Sequence, residues 1–259
     1  MDPNRPRRLS GNRGYRPIVA VNPQQPPCPR ETELRDSETW VVVPLYNEAA
    51  VIARVLKGLR RRFANVVVVD DGSADDSVEA ARPHATWLLR HLVNRGQGAA
   101  LQTGTAFALA RGARRIAHFD ADGQHDVRDL ERMVERVADG ACDIALGNRF
   151  ADRGSNVPAG RRLLLKSAVL FHRVCSGIEL SDVHNGLRVF SREAAERLEI
   201  TADRMAHASE LIDLIARSGL RVEEIPVHIR YDEYSREKGQ RWTGGFRILF
   251  HYLVGRILD

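Results

Sequence analysis

Runs of consecutive apolar residues alternate along the chain with segments whose apolar positions recur every three or four residues. The apolar runs at 40–44 and 66–69 predict buried strands, and the segment 49–63 between them predicts an amphipathic helix. The alternation continues, with strands predicted at 86–91, 115–119 and 143–147 and helices at 75–82, from the 94–98 loop to Arg111, and at 127–138. Strands that are apolar along their whole length are typical of a parallel sheet with helices on both faces. The pattern therefore predicts an α/β fold.

The two ends of the chain differ in character from this core. Residues 1–38 contain seven of the eleven prolines and seven arginines without apolar periodicity, so we predict a disordered tail. A single domain is predicted over 39–241, and its later part contains helices near 163–174, 192–198 and 208–218 and strands at 187–190 and 222–231. The stretch 242–259 predicts an amphipathic helix. Three surfaces remain open for that helix to pack on: the domain itself, a membrane, or a membrane-embedded partner subunit.

Composition narrows the class of protein. The chain has 259 residues with 43% hydrophobic and 28% charged residues, an ordinary globular mixture that forms a core without staples. Its three cysteines form no CxxC pair, which argues against a disulfide framework and a structural zinc site and favours a reducing, cytoplasmic compartment. The chain has no run of about 18 apolar residues, so no membrane-spanning helix is predicted. The arginine-rich tail lacks interleaved aromatic residues, so we expect no specific nucleic-acid partner.

Four polar clusters follow predicted strands. They are Pro-Leu-Tyr-Asn-Glu at 44–48, Asp-Asp-Gly-Ser at 70–73, Asp-Ala-Asp-Gly-Gln-His at 120–125, and Gly-Asn-Arg at 147–149. In an open α/β sheet, ligands bind outside the carboxyl ends of the strands. Helix capping explains one such cluster well but explains four of them poorly, so we predict a binding site at this edge.

The cluster at 120–125 carries the most specific chemistry. Alternate residues Asp120, Asp122 and Gln124 can present three oxygens to one centre, which suits Mg²⁺ or Mn²⁺ shared with substrate phosphates. A solvated turn is the alternative. The chain has neither a GxxxxGK[ST] phosphate loop nor a GxGxxG fingerprint after the first strand, which argues against an ordinary ATPase and against a dinucleotide cofactor.

Six motifs in order carry a family resemblance. They are VPLYNE (43–48), VDDGS (69–73), NRGQGAA (94–100), DADGQH (120–125), GNRF (147–150) and DVHNGLR (182–188). From about Trp40 to Lys238 the chain resembles a family 2 glycosyltransferase of GT-A fold, and most of all the dolichyl-phosphate mannosyltransferase and bacterial polyprenyl-phosphate glycosyltransferase branch. The resemblance implies a Rossmann-like, mostly parallel sheet flanked by helices. It also implies metal-dependent, inverting sugar transfer from a nucleoside diphosphate sugar, GDP-mannose or a UDP-hexose.

The resemblance also assigns roles to matching positions. It implies that Pro44, Tyr46, Glu48, Val69 and Asp71 bind the base and ribose, that Asp120, Ala121 and Asp122 bind the donor, and that Asp120, Asp122 and Gln124 hold the metal. Asp122, Arg149 and Arg188 are the implied catalytic residues, with Arg149, Arg161 and Arg162 at the acceptor phosphate. Arg236 matches a basic loop that closes over the diphosphate. Two departures stand out: the usual Gly-Phe-Arg is Gly186-Leu187-Arg188, and the serine-lysine after the closing-loop glycine is replaced by Arg241-Trp242.

The acceptor is the least determined part. Members with hydroxyl acceptors usually have two carboxylates where this chain has Ser209-Glu210-Leu211, so the single Glu210 favours an acceptor phosphate, which needs no base. The basic linker after Gly147 agrees with a polyprenyl phosphate in a membrane surface, whereas a solvated helix face also explains it. Two alternatives stay open: transfer to a saccharide hydroxyl in cell-envelope polysaccharide synthesis, and a non-catalytic sugar-nucleotide-binding subunit. For His125 and His184 we favour structural hydrogen bonding over base catalysis.

Overall fold

The computed structural model describes residues 36–151, 180–182, 185–200 and 207–230. Most of the predicted tail, the predicted helix at 163–174 and the stretch 242–259 lie outside these residues. The strands are β1 (Asp36–Leu45), β2 (Phe63–Asp70), β3 (Trp87–Arg90), β4 (Arg115–His118), β5 (Ile144–Asn148), β6 (Arg188–Ser191) and β7 (Val222–Pro226). The helices are α1 (Ile52–Arg60), α2 (Ser77–Ala81), α3 (Gln97–Ala110), α4 (Val127–Ala138), α5 (Arg192–Arg197) and α6 (His207–Ser218).

The strands form one seven-stranded sheet in the order β3-β2-β1-β4-β6-β5-β7. All neighbouring pairs are parallel except those that β6 makes with β4 and β5. Because β6 runs against both neighbours, the other six strands all point the same way. The predicted mostly parallel α/β sheet is therefore confirmed, with one reversed strand inside it.

Both faces of the sheet are covered by helices. Helices α1, α2 and α4 pack their apolar residues on one face, and α3, α5 and α6 pack theirs on the other. The centre of the sheet is fully buried, because the valines of β1 and β2 are inaccessible to solvent on both faces. Helix α3 lies unusually close to β1, because an ideal Cβ on Gly104 would be 2.3 Å from Cγ1 of Val42. This contact explains why glycine is needed there.

Several element bounds differ from the sequence prediction: the helix predicted at 49–63 spans Ile52–Arg60, and the strand predicted at 66–69 already begins at Phe63. Two further differences have a visible cause. Strand β1 begins at Asp36, three residues before the predicted start of the domain, because the Asp36 amide donates to the Arg62 carbonyl (2.9 Å). Strand β7 ends at Pro226 instead of continuing to 231. The Val227 amide still donates to the Asn148 carbonyl of β5 (3.1 Å), but the residues after Val227 leave β5. The His228 amide donates to the Asp129 carboxylate (2.7 Å), and Ile229 forms an antiparallel bridge with His125.

The helices of the described part are short. None of them combines the length and the apolar character that a membrane-spanning helix requires.

Candidate active site

One edge of the sheet collects all four polar clusters. Strands β1, β2, β4 and β5 are parallel to one another, so the residues that follow them emerge at the same edge. Strand β6 is antiparallel and therefore begins at this edge, which brings Arg188 to the same place. The sequence prediction that these clusters share an edge is thus realised in the sheet.

The loop after β1 is braced by hydrogen bonds to the loop after β2. The Asn47 amide donates to Oγ of Ser73 (3.0 Å), and the Glu48 amide donates to Oγ of Ser77 (2.7 Å). Asn47 takes a left-handed conformation (φ 53°), and its Oδ1 accepts from the Ala74 amide (2.9 Å). This bracing presents Tyr46 outward with 48% of its surface exposed.

Pro44 and Val69 lie below that loop as neighbours in β1 and β2, where both are buried in the sheet. Pro44 and Val69 thus lie next to the loop that carries Tyr46 and Glu48, and their role in binding the base and ribose stays a prediction.

Asp71 holds the loop that precedes α3. Its Oδ1 contacts Nδ1 of His91 (2.7 Å) and accepts from the Arg95 amide (2.9 Å), while Oδ2 accepts from the Gly96 amide (2.6 Å). The other ring nitrogen of His91 contacts Oγ1 of Thr103 (3.0 Å), and these side chains are buried. The contacts described for Asp71 are thus structural, and the predicted contact with a base would be additional to them.

Asp120 is fixed from several sides. Nε2 of Gln97 donates to its Oδ1 (2.8 Å), and Nε2 of His125 contacts its Oδ2 (3.2 Å). Gly186 lies against the same carboxylate, since an ideal Cβ on that glycine would be 1.9 Å from Oδ2. Burial works to raise the pKa of Asp120, but the hydrogen bond and charge of His125, with the charge of Arg188, bring that pKa below its ordinary value.

Asp122 has the opposite electrostatic environment. Burial, followed by the negative charge of Asp120 and a smaller effect of Glu48, raises the pKa of Asp122 to about 6. The Gln124 amide, which donates to Oδ1 of Asp122 (3.0 Å), only partly offsets this rise. Asp122 therefore binds a proton more readily than an ordinary aspartate does.

This donor set fits a divalent cation that is held partly by a substrate. The described residues contain no group of three His, Cys, Asp or Glu side chains that would hold a metal alone. The predicted set instead has two carboxylates and the side-chain carboxamide oxygen of Gln124, and Mg²⁺ and Mn²⁺ prefer oxygen ligands of this kind. The pKa of Asp122 is raised mainly by burial and then by the charge of Asp120, so a bound cation would favour its ionised form.

Two buried arginines stand next to the carboxylates. Nε of Arg149 forms an ion pair with Oδ2 of Asp182 at 2.5 Å, and the Arg149 amide donates to the same oxygen (3.1 Å). Arg188 is also buried, which lowers its guanidinium pKa, while the charges of Asp120 and Asp182 act in the opposite direction. Glu224 of β7 accepts from the Asp182 amide (3.1 Å) and so fixes this pair in place.

The chain beyond β7 passes beside the 120–125 motif. The Arg230 amide donates to the Gln124 carbonyl (3.0 Å), and its guanidinium pairs with Asp126 (2.6 Å). The predicted closing-loop residue Arg236 lies outside the described residues, as do Arg161, Arg162 and His184. Arg230, the last described residue of the chain, lies next to Gln124.

Sequence reasoning missed three residues that organise the edge: His91, Gln97 and Asp182. Gln97 and Asp182 lie inside motifs that were recognised, but no spacing rule connects Gln97 to Asp120 or Asp182 to Arg149. His91 follows β3 without any motif. The preference for a hydrogen-bonding role for His125 agrees with its contact to Asp120.

Comparisons with known proteins agree with this geometry. Residues 40–199 match the family model described as glycosyl transferase family 2. An uncharacterized protein of Methanocaldococcus jannaschii is 37% identical over 87% of this chain and 95% of its own length. A UDP-N-acetylglucosamine–dolichyl-phosphate N-acetylglucosaminyltransferase of Methanococcus voltae is 26% identical over 87% of this chain and 100% of its own length.

A further relative and a solved structure extend the comparison. The polyprenol monophosphomannose synthase of Mycolicibacterium smegmatis is 31% identical over 73% of this chain and 76% of its own length. The glucosyl-3-phosphoglycerate synthase of Mycobacterium tuberculosis, solved with Mn²⁺, uridine diphosphate and phosphoglyceric acid, has a TM-score of 0.58. It is 20% identical and the match covers 83% of this chain and 78% of that chain, a likeness that establishes the shared GT-A fold. The chain therefore belongs to glycosyl transferase family 2 and is a glycosyltransferase.

Proposed function

We propose that this glycosyltransferase moves a sugar, with inversion, from a nucleoside diphosphate sugar to a polyprenyl phosphate at the cytoplasmic face of a membrane. One observation carries the acceptor assignment. Relatives that align with 73% to 87% of this chain are named as a dolichyl-phosphate N-acetylglucosaminyltransferase, a polyprenol monophosphomannose synthase and, in Micrococcus luteus, an undecaprenyl-phosphate mannosyltransferase. The geometry of the edge supports a phosphate-rich reaction, because carboxylates and buried arginines meet there.

In this proposal the donor lies across the ends of β1, β2 and β4. Tyr46 offers an exposed aromatic ring on a braced loop, which suits stacking on a base. Glu48, on the same loop, would accept hydrogen bonds from the ribose hydroxyls. The donor's diphosphate then points towards Asp120 and Asp122, and Ala121 lies between these two carboxylates as a small buried residue.

Asp122 and Gln124, with Asp120 beside them, are the residues proposed to hold Mg²⁺ or Mn²⁺. A bound divalent cation would neutralise negative charge on the leaving diphosphate. The low pKa of Asp120 keeps that carboxylate ionised, and a bound cation would favour ionisation of Asp122, whose pKa is raised by burial and by Asp120. His125 and Gln97 keep the Asp120 oxygens oriented.

The acceptor phosphate is the nucleophile in this mechanism. One of its oxygens forms a bond to the anomeric carbon while the bond from that carbon to the diphosphate oxygen breaks, and the diphosphate leaves with the electron pair. Attack from the face opposite the leaving group inverts the configuration. A phosphate monoester is already an anion near neutral pH, so no base is required, which agrees with the single Glu210 on α6.

Arg188 and Arg149 supply positive charge to this reaction. Both are buried, so their electrostatic effect is weakly screened by water. The ion pair with Asp182 fixes the orientation of Arg149 and partly neutralises its positive charge. We propose that Arg161 and Arg162 contribute further positive charge at the acceptor phosphate.

The test combines a transfer assay with a matched pair of variants. The full chain is incubated with GDP-mannose or UDP-hexoses, a short-chain polyprenyl phosphate in detergent, and Mg²⁺ or Mn²⁺, and the lipid product is separated. We expect one donor to give a metal-dependent product of inverted anomeric configuration by NMR. Asp122→Asn should lower turnover at least about 100-fold, whereas Asp139→Asn on the exposed end of α4 should not. Transfer only to saccharide hydroxyls, or transfer that survives chelation, would contradict the proposal.

A further inference from the structure

Two adjacent aliphatic side chains protrude from the loop between β3 and α3. Leu92 is 74% exposed and Val93 is 66% exposed. Among the described residues, the only other exposed large hydrophobic side chain is Tyr46, and it emerges at the same edge of the sheet. Single exposed apolar residues are ordinary on protein surfaces and need no explanation. Two adjacent ones at the edge of the candidate active site do need one.

Positive charge surrounds this pair. From Ala80 to Phe119 the sequence has six arginines and not one aspartate or glutamate. Three of these arginines, at 82, 90 and 95, are exposed and lie near the loop, and the side chain of Arg90 is 53% exposed although it pairs with the buried Asp70. The next carboxylate upstream in the sequence is Glu79 on α2, and the Asp71 carboxylate that holds this loop is buried. Asp75 is turned towards the loop after β1, since it accepts from the Ala49 amide (3.2 Å).

An amphiphilic cavity adjoins the loop. Its volume is about 510 Å³, and Arg82, Arg90, Val78, Leu88 and Leu92 are among the residues that line it. Guanidinium groups beside aliphatic walls match a molecule with an anionic head and an apolar stem. A phospholipid at a membrane surface has this chemistry.

The loop is also close to the proposed reaction centre. Val93 is four residues from Gln97, whose side chain donates to Asp120. Four extended residues span at most about 14 Å, so the backbone of Val93 lies within roughly that distance of the backbone of Gln97. A membrane contacting Leu92 and Val93 would therefore lie against the same edge of the sheet as the carboxylates.

We propose that the 90–95 loop is the membrane-docking surface of this enzyme. Leu92 and Val93 enter the boundary between head groups and acyl chains of an anionic membrane, and Arg82, Arg90 and Arg95 contact the head groups. The inference rests on the proposed function, because a lipid-linked acceptor is what requires the edge to face a membrane. It adds the surface and the orientation that the proposed function leaves undefined.

The first test measures binding without catalysis. The full chain is floated with vesicles of phosphatidylcholine alone or mixed with phosphatidylglycerol. We expect binding to the mixed vesicles, reduced about tenfold or more by Leu92→Ser with Val93→Ser, because two aliphatic side chains lose their apolar contact. Arg82→Gln should weaken binding about fivefold on the mixed vesicles only. Arg61→Gln is the matched control, since it removes the same charge at the opposite edge, where α1 ends.

A second measurement separates this inference from the proposed function. The Leu92→Ser, Val93→Ser variant should retain turnover of a short-chain polyprenyl phosphate in detergent and lose turnover of the same lipid in vesicles. If no lipid is glycosylated under any condition, the proposed function fails while the flotation result still stands. Unchanged flotation of the double variant, equal loss of turnover in both assays, or self-association that depends on Leu92 and Val93 would each overturn the docking surface.

Discussion

Gly186→Ala tests the arrangement of the carboxylates with a single added methyl group. The structure would place the new Cβ 1.9 Å from Oδ2, 2.5 Å from Cγ and 2.6 Å from Oδ1 of Asp120. A Cβ atom and a non-bonded carboxylate atom do not approach each other this closely. The Asp120 carboxylate must therefore move at least about 1 Å to reach an ordinary separation. Gly186 does not have a left-handed backbone conformation, so the effect of alanine comes from this contact rather than from backbone strain.

The movement carries a definite functional cost. Asp120 is anchored by Gln97 at 2.8 Å and by His125 at 3.2 Å, so the shift breaks or lengthens at least one of these hydrogen bonds. A displacement of about 1 Å in the relative positions of reacting and catalytic groups lowers the rate on the order of 100-fold. We therefore expect kcat/KM for transfer to fall about 100-fold. Mn²⁺ and nucleotide affinities, measured by calorimetry on the free protein, should fall as well.

The control is the same substitution at a glycine with room. Gly58 lies inside α1, and a Cβ there would meet only Cγ2 of Val127 at an ordinary 3.4 Å. Gly58→Ala should leave transfer unchanged and raise the free energy of unfolding by up to about 1 kcal/mol, because alanine favours the helix. Wild-type transfer and wild-type Mn²⁺ affinity in Gly186→Ala would refute the reasoning that this glycine sets the position of Asp120.

Two further predictions concern stability. Burial, with the charges of Arg188 and His207, lowers the pKa of His118 to about 3 from 6.5. The unfolded chain therefore binds the proton first as pH falls below 6.5, and the free energy of unfolding should drop by about 2 kcal/mol between pH 6.5 and 5. Chemical denaturation should show a smaller drop in His118→Gln, and an equal drop would contradict the assignment. Gly104→Ala should destabilise the protein by about 1–3 kcal/mol through its clash with Val42. That cost should shrink in a Val42→Ala background, and equal costs in both backgrounds would exclude the clash as the cause.

The sequence predicted the fold well where local pattern is decisive. Helix α4 has the predicted bounds because its apolar stripe is regular and Asp126 caps its start by accepting from the Arg128 amide. The reversed direction of β6 was not predictable. A run such as Leu187–Phe190 has the same apolar pattern whether it pairs parallel or antiparallel, so its direction depends on its partners, β4 and β5.

The site was predictable as a set of motifs but not as a network. Strand ends place Asp120 and Asp122 at the edge without further information. The contacts that give these groups their properties join residues far apart in sequence, such as Gln97 with Asp120 and Arg149 with Asp182. Such pairs arise from the packing of α3 and of residues 180–182 and 185–187 on the sheet, and no spacing rule encodes them.

The position of β6 in the sheet has a consequence for how the chain folds during synthesis. Strands β3, β2, β1 and β4 are all present once the ribosome has passed His118, whereas β6, the partner of β4, begins at Arg188. At 5–20 residues per second, those 70 residues take roughly 4 to 14 s to make. During that interval β4 can pair with β1 on one side, but its other edge lacks its partner β6. Exposed strand edges of this kind recruit other chains. The nascent enzyme should therefore be most vulnerable to aggregation, and most dependent on chaperones, in the window before β6 is completed.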